Sequence, residues 1–406
     1  MKSTWFAAAS GAGSALAILA ACATDGAAPV ALAEDVSAPV PSVESDGGVD
    51  AESVDDASTC TDDCEYFPDT CSDDALCASP LFGAGVTPEA LDSRTNVLAL
   101  AGRSPSDAWL AGSVGAAAHF DGTKWTRSDT GVQESLLALW LRAGAEIAFH
   151  TPERLYTRGI AVDGGAPSAG GWVPFGAASV DPAWSSAQPI VRATWAHANG
   201  ASLWIGTSEG WSYTARTGLW RMRRMVDGSF AVQPVALDKC RTDATVACLE
   251  VYGLHGRSAD EVWAVGPRGA AFRVSNAEAD EPTLTNFETA SVGVLHGVWA
   301  AGPSDVWAVG AAGTVRRWQG GANVFAPYDG IATNRHLRAI AGSSPSDIWI
   351  VGEESTVFHY DGGAWSRVKV AGLGGRRPDL EHVWVSSPGK VWVAGPGVLL
   401  SLGGKP

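Results

Sequence analysis

Residues 23–92 contain no lysine, arginine or histidine, yet they carry 17 aspartates and glutamates. A stretch charged with one sign, rich in Ala, Pro, Val, Ser and Asp and lacking helical or strand periodicity, cannot bury enough apolar surface to offset its ordering entropy. A disordered, self-repelling acidic tether is therefore expected. From Arg94 onward the charges balance, 27 acidic against 27 basic, so the net charge of -16 belongs to the tether. The remainder lacks the basic footprint of a nucleic-acid binder. Beyond residue 21 no apolar run approaches the length needed to span a membrane. Also missing are HExxH, paired metal spacing among the eight histidines, a DxDxDG calcium loop and a phosphate loop ending in GK[ST]. AGLGGRRP around Gly374 lacks that ending and reads as a loop. No metal and no cofactor is expected.

What is present begins with Lys2 and an apolar or small-residue run over residues 5–21, which reads as a signal peptide. The run ends Leu19-Ala20-Ala21-Cys22 and resembles the lipobox of bacterial lipoproteins. The resemblance implies a diacylglyceryl group on Cys22, a mature chain starting there, and membrane attachment through lipid alone. In that family an Asp after the Cys favours inner-membrane retention; Ala23 stands here, so the outer membrane is favoured.

The other six cysteines form two local groups, and disulfides in an oxidising compartment are the default. Cys60, Cys64, Cys71 and Cys77 would make two bridges of unassigned connectivity, and Cys240 with Cys248 would staple a loop. Metal binding by the first group is disfavoured because no tight CxxC pair occurs.

An internal repeat decides the fold class. SPSDAWLAGSVGAAAHFDGTKW from Ser104, SADEVWAVGPRGAAFRV from Ser258, GPSDVWAVGAAGTVRRW from Gly302 and SPSDIWIVGEESTVFHYDGGAW from Ser344 are clear copies. AEIAFHTPERLYT, ASLWIGTSEGWSY and GKVWVAGPGVLLSL are weaker ones. The anchors Trp109, Ile147, Trp204, Trp263, Trp307, Trp349 and Trp392 lie 38, 57, 59, 44, 42 and 43 residues apart, near the period of propeller blades. Each copy reads as four short strands separated by turns at SPSD, GEES and DGG. The expectation is an all-β, seven-bladed β-propeller of four-stranded antiparallel blades over residues 80–406, after a signal peptide (1–21) and a tether (22–79). The anchor Trp should fill the wedge between blades. Asp107, Asp305 and Asp347 should bond backbone amides of their turn, and Gly112, Gly266, Gly310 and Gly352 should permit the next turn. The last copy stops after three strands, so residues 80–92 are expected to donate the fourth and close the ring by pairing the chain ends. Truncation to Asp92 should then destabilise the domain, and truncation to Ala78 should not.

Over residues 80–406 the chain resembles bacterial seven-bladed propellers, and with its lipobox and acidic spacer it is similar to propeller lipoproteins of large-genome soil bacteria. HFDGTKW and FHYDGGAW depart from the SxDxGxTW of sialidase-type repeats, and WD40, YVTN and kelch signatures are absent. Gly206-Thr207-Ser208-Glu209-Gly210 fits GxSxG, but the repeat puts it in a strand-to-strand turn, not a nucleophile elbow. A propeller site is expected at a mouth of the central channel. Counting back from the anchors selects Tyr252, His296, Arg338 and Glu381 near the starts of inner strands. It selects His255, Trp299 and Trp384 nearer their ends, where aromatics can stack on sugars or simply pack. The Cys240–Cys248 loop and an insert over residues 151–188 should enlarge rims of the disc. A binding or scaffolding module for a protein or glycan partner, monomeric, is preferred. A glycan-processing hydrolase or lyase is the alternative, favoured if three or more carboxylates, Arg or His converge in one mouth.

Overall fold

In the copy beginning at Ser344 the repeat reads directly into structure. Leu337–Ser344, Asp347–Gly352, Val357–Tyr360 and Trp365–Arg367 pair antiparallel in that order, with the SPSD, GEES and DGG turns between them. The computed structural model describes residues 63–83, 89–162, 165–208, 217–235 and 250–405. Seven such four-stranded blades form a ring. The inner strands Val97–Ser104, Ala138–Arg142, Ile190–Trp195, Gly253–Ser258, Leu295–Gly302, Leu337–Ser344 and His382–Ser387 touch in succession, and the last meets the first. They define blades 1 to 7. The protein is thus an all-β, seven-bladed propeller. Among the described residues no helix is long and apolar enough to cross a membrane.

Both faces of each blade pack against a neighbour, so the second strands are apolar on successive residues; Asp347–Gly352 is buried throughout. Each anchor fills one wedge. Trp109, Ile147, Trp204, Trp263, Trp307, Trp349 and Trp392 fall one apiece into seven separate buried apolar clusters around the ring.

Two local expectations are corrected. The repeated acids do not bond turn amides. Asp107 and Asp347 accept from His119 Nε2 and His359 Nε2 at 3.0 and 2.8 Å, and Asp305 accepts from Arg317 Nε at 2.7 Å. Each of these side chains lies on the third strand and covers the anchor indole of its own blade: His119, His359 and Arg317 sit 4.4, 4.3 and 4.3 Å from Trp109, Trp349 and Trp307. The turn amides are met instead by the leading serine, as Ser344 Oγ accepts from Ser346 N at 3.3 Å. The glycine after the second strand is likewise not there for the turn. Gly352 has extended backbone (φ -166, ψ -160), but a Cβ on it would lie 2.3 Å from the carbonyl oxygen of His336. Close approach of the inner strand excludes any side chain. The left-handed turn residues are Glu354 and Ser355, at φ 52° and 56°.

The ring is closed by pairing of the chain ends, but the donor is not 80–92. Ala75–Ala78 supplies the outer strand of blade 7, antiparallel to Val398–Leu402, and Lys369–Ala371 adds parallel to its far edge. Ala75, Leu76 and Cys77 are fully or almost fully buried. The apolar run ALCA, short as it is, has a waiting groove; the described residues of 80–92 give only the small pair Phe82–Gly83 and Leu91–Asp92, parallel to each other. Truncation to Ala78 would therefore remove the closing strand. Upstream, the acidic segment is latched by cations of the last blades: Asp63 to Arg367 at 2.8 Å, Asp74 to Lys369 at 3.3 Å and Asp73 to Lys405 at 2.9 Å. Arg377 lies 3.8 Å over Phe67.

Cys71 and Cys77 form a disulfide and Cys64 is also disulfide-bonded. Cys22, Cys60, Cys240 and Cys248 lie outside the described residues. The insert over 151–188 is no loose rim: it supplies the outer strands of blade 2, Leu155–Arg158 and Val173–Gly176. A strap, Ser179–Val180, then pairs parallel to the outer strand of blade 3, and the helix Pro182–Ala187 buries Trp184 in the wedge between blades 2 and 3.

Candidate functional site

The inner strands share a device at their start. Near the start of the hairpin one extra residue is inserted, between the first two pairs in blades 1, 5 and 6, as His296 between Leu295 and Gly297, and between the second and third pairs in blade 3. A bulge of this kind re-aims the extra side chain. The bulged residues are Leu98, Arg192, His296 and Arg338. Leu137, Tyr252 and Glu381 hold the same place in the other blades, each donating its amide to the partner of the following residue. Around the ring from blade 1 the position reads Leu98, Leu137, Arg192, Tyr252, His296, Arg338, Glu381.

Five polar residues therefore form a continuous arc over blades 3 to 7. Arg192 lies 5.8 Å over the Tyr252 ring, and Tyr252 stacks on His296 at 6.2 Å and 7°. His296 is 6.3 Å from His336, which precedes blade 6. Arg338 donates to Glu353 at 2.5 Å, and Glu353 also accepts from the His336 amide at 3.1 Å. Tyr252 donates to Glu250 at 2.7 Å. Burial first, then the charges of Arg338 and His336, pushes His296 down to about 4, so it is neutral at pH 7. Burial raises the Glu381 carboxyl, with the Arg338 charge opposing and Asp379 adding to the rise. Among the described residues the Glu381 side chain has no ion pair or hydrogen bond, and Arg192 has no carboxylate partner, only Ser208 Oγ at 2.8 Å.

The structure thus brings Tyr252, His296, Arg338 and Glu381 together at one mouth. His255, Trp299 and Trp384 lie three residues further along their strands, toward the opposite mouth. There they pack: Trp195, His255 and Trp299 follow one another at 5.9 and 5.7 Å, and His255 Nδ1 accepts from the Ala300 amide at 3.1 Å. Burial holds His255 at about 3, a neutral acceptor. Trp384 lies on the next blade, where a Cβ on Gly102 would fall 2.1 Å from its Cζ2. Leu98 lies at the same count from its anchor as the four predicted residues, whereas Arg192 and Leu137 lie one residue off and were missed. The hairpins differ by single residues, since Trp140 pairs with Ile147, Trp195 with Trp204 and Trp299 with Trp307. Counting three residues back from each anchor's hairpin partner recovers all seven.

Elsewhere, Gly206–Ser208 continues the strand Ser202–Ser208, so no strand-to-helix elbow begins there; Glu209 and Gly210 lie outside the described residues. A cleft of about 530 Å³ between blades 6 and 7 is lined by Asp74, Asp347, His359, Asp361 and Arg367 among others. Its acids are committed to His359, Lys369 and turn amides, which makes it a seam. Among the described residues no group of three His, Cys, Asp or Glu could hold a metal ion.

No protein-family model matches the chain, and no curated protein matches it in sequence. Solved structures do. YCF48 from Cyanidioschyzon merolae superimposes with a TM-score of 0.56 at 13% identity, covering 81% of this chain and 98% of that one. YCF48 bound to D1 peptide gives 0.56 at 14%, covering 82% and 97%. The WD40 β-propeller domain of Doa1 gives 0.54 at 12%, covering 76% and 92%. The likeness is one of fold.

Proposed function

We propose that this protein is an exported, lipid-anchored envelope protein whose propeller is a binding module, with the polar arc Arg192, Tyr252, His296, Arg338 and Glu381 as its contact surface. The observation that carries this reading is the ring position itself. One register position, repeated seven times, holds five different residue types, and in four of the seven blades a bulge re-aims it. A rigid scaffold with varied side chains at one face is the usual build of a recognition site. Support for a polypeptide partner comes from YCF48, which shares the fold and has a structure with a bound peptide. Support for export comes from the cysteines, since the Cys71–Cys77 bridge belongs to an oxidising compartment. Lipidation at Cys22 and outer-membrane placement rest on the lipobox resemblance.

Crosslinked affinity capture from the native envelope, with the lipidated full chain and an Arg192→Glu, Arg338→Glu variant side by side, tests the reading. A partner held by the first and lost from the second establishes it. A partner held equally by both removes the mouth from the account.

The same convergence of Arg, His and carboxylate favours a second reading, a glycan-cleaving enzyme with Glu381, whose carboxyl burial raises, as the general acid. Turnover of envelope glycans abolished by Glu381→Gln would establish that reading instead.

A further inference from the structure

On the ring, charges are cancelled except at two places. Arg338 is neutralised by Glu353 and His296 is uncharged, whereas among the described residues Arg192 and Glu381 have no partner of opposite charge in contact. Because the ring is closed, these two ends of the polar arc face each other across blades 1 and 2, whose ring residues are Leu98 and Leu137. Read in that direction the mouth presents a cation, two partly exposed leucines and an acid. Other chemistries fit this order poorly. A glycan would want an aromatic platform where the leucines stand, and a polyanion would be repelled by Glu381 and Glu353.

We propose that the mouth takes a polypeptide segment carrying an acidic group, an apolar pair and a basic group in order: the acid on Arg192, the apolar side chains against Leu137 and Leu98, the base on Glu381. This rests on the binding reading above and names its ligand. A charge pair made in a partly desolvated mouth contributes more to choosing the partner than to raw affinity. An unmatched ligand would leave Glu381 or Arg192 desolvated without compensation, which is how such sites discriminate.

The experiment uses the full chain in detergent and four labelled peptides in which a Leu-Leu pair is flanked by Asp and Lys, by two Asp, by two Lys or by two Ser. The wild type is expected to bind the Asp/Lys peptide about tenfold more tightly than the others, a difference worth about 1.4 kcal/mol. Glu381→Lys is expected to move the preference to the two-Asp peptide, and Arg192→Glu to the two-Lys peptide. Among the described residues neither side chain takes part in an ion pair, so unfolding midpoints of both variants should stay near wild type, which excludes misfolding as the cause. No discrimination by the wild type, or the same preference in all three proteins, overturns the proposal. If an envelope partner is captured equally by the wild type and both variants, the binding function stands and this ligand assignment fails. If the wild type captures no partner and binds none of the peptides, both fail.

Discussion

Two layers of the same repeat behave in opposite ways. At the anchor position seven copies give six tryptophans and one isoleucine, each closing a wedge. Three residues before the anchor's hairpin partner the seven copies give two leucines, two arginines, a tyrosine, a histidine and a glutamate. The wedge is a packing problem posed identically seven times, and interiors at crystal-like density accept few answers. The mouth is posed no such problem, so its residues were free to diverge. Uniformity across internal copies marks what holds the disc together, and divergence at a shared register marks what it presents.

The largest effect should come from breaking the closure on which both layers depend. Deleting residues through Ala78 removes the outer strand of blade 7 and three ion pairs. The thermal midpoint should fall further than for any single core substitution, and dye binding should report exposed apolar surface. Next, Trp307→Ala empties the wedge between blades 5 and 6 and should cost about 3–5 kcal/mol in denaturant unfolding. Equal costs at Trp307 and at Arg192 would erase the distinction between the layers. A third test is pH. His255, His296 and His382 are held at about 3, 4 and 4 by burial, below the ordinary 6.5. The unfolded chain takes up protons from about pH 6.5 downward while the folded chain does not, so stability should decline between pH 6.5 and 4, measurable as a falling midpoint. The smallest effect is at Glu381, whose carboxyl is raised. Its burden is felt above its folded pKa and vanishes below the unfolded value. Glu381→Gln should therefore raise the midpoint slightly at pH 7 and leave it unchanged at pH 4.

The wedge layer was legible in the sequence because tryptophan spacing repeats whatever the loops do. Blade 2 was readable even with Ile147 in place of tryptophan. The mouth was half legible: Tyr252, His296, Arg338 and Glu381 follow from a fixed count, but Arg192 is displaced by one residue in the hairpin of blade 3, which only strand pairing reveals. The roles of Asp107, Asp305 and Asp347 were misread because their partners, twelve residues on, lie on the neighbouring strand beyond the turn. Local turn chemistry was the nearer explanation and the wrong one. The closing strand was misplaced for a similar reason. Four residues, ALCA, sit inside a segment whose composition speaks for disorder, and only the groove between Val398–Leu402 and Lys369–Ala371 gives them a structure.

That strand also sets the order of assembly. Ala75–Ala78 is made before any blade, yet its antiparallel partner is the last strand of the ring to be made. Contacts so distant along the chain form slowly, because the entropy of closing the intervening loop comes due before the contact rewards it. Early blades can therefore zip up while the circle stays open. Completion of the chain becomes a condition for a finished disc, and a stalled or clipped product is left with unpaired edges that quality-control proteases can recognise.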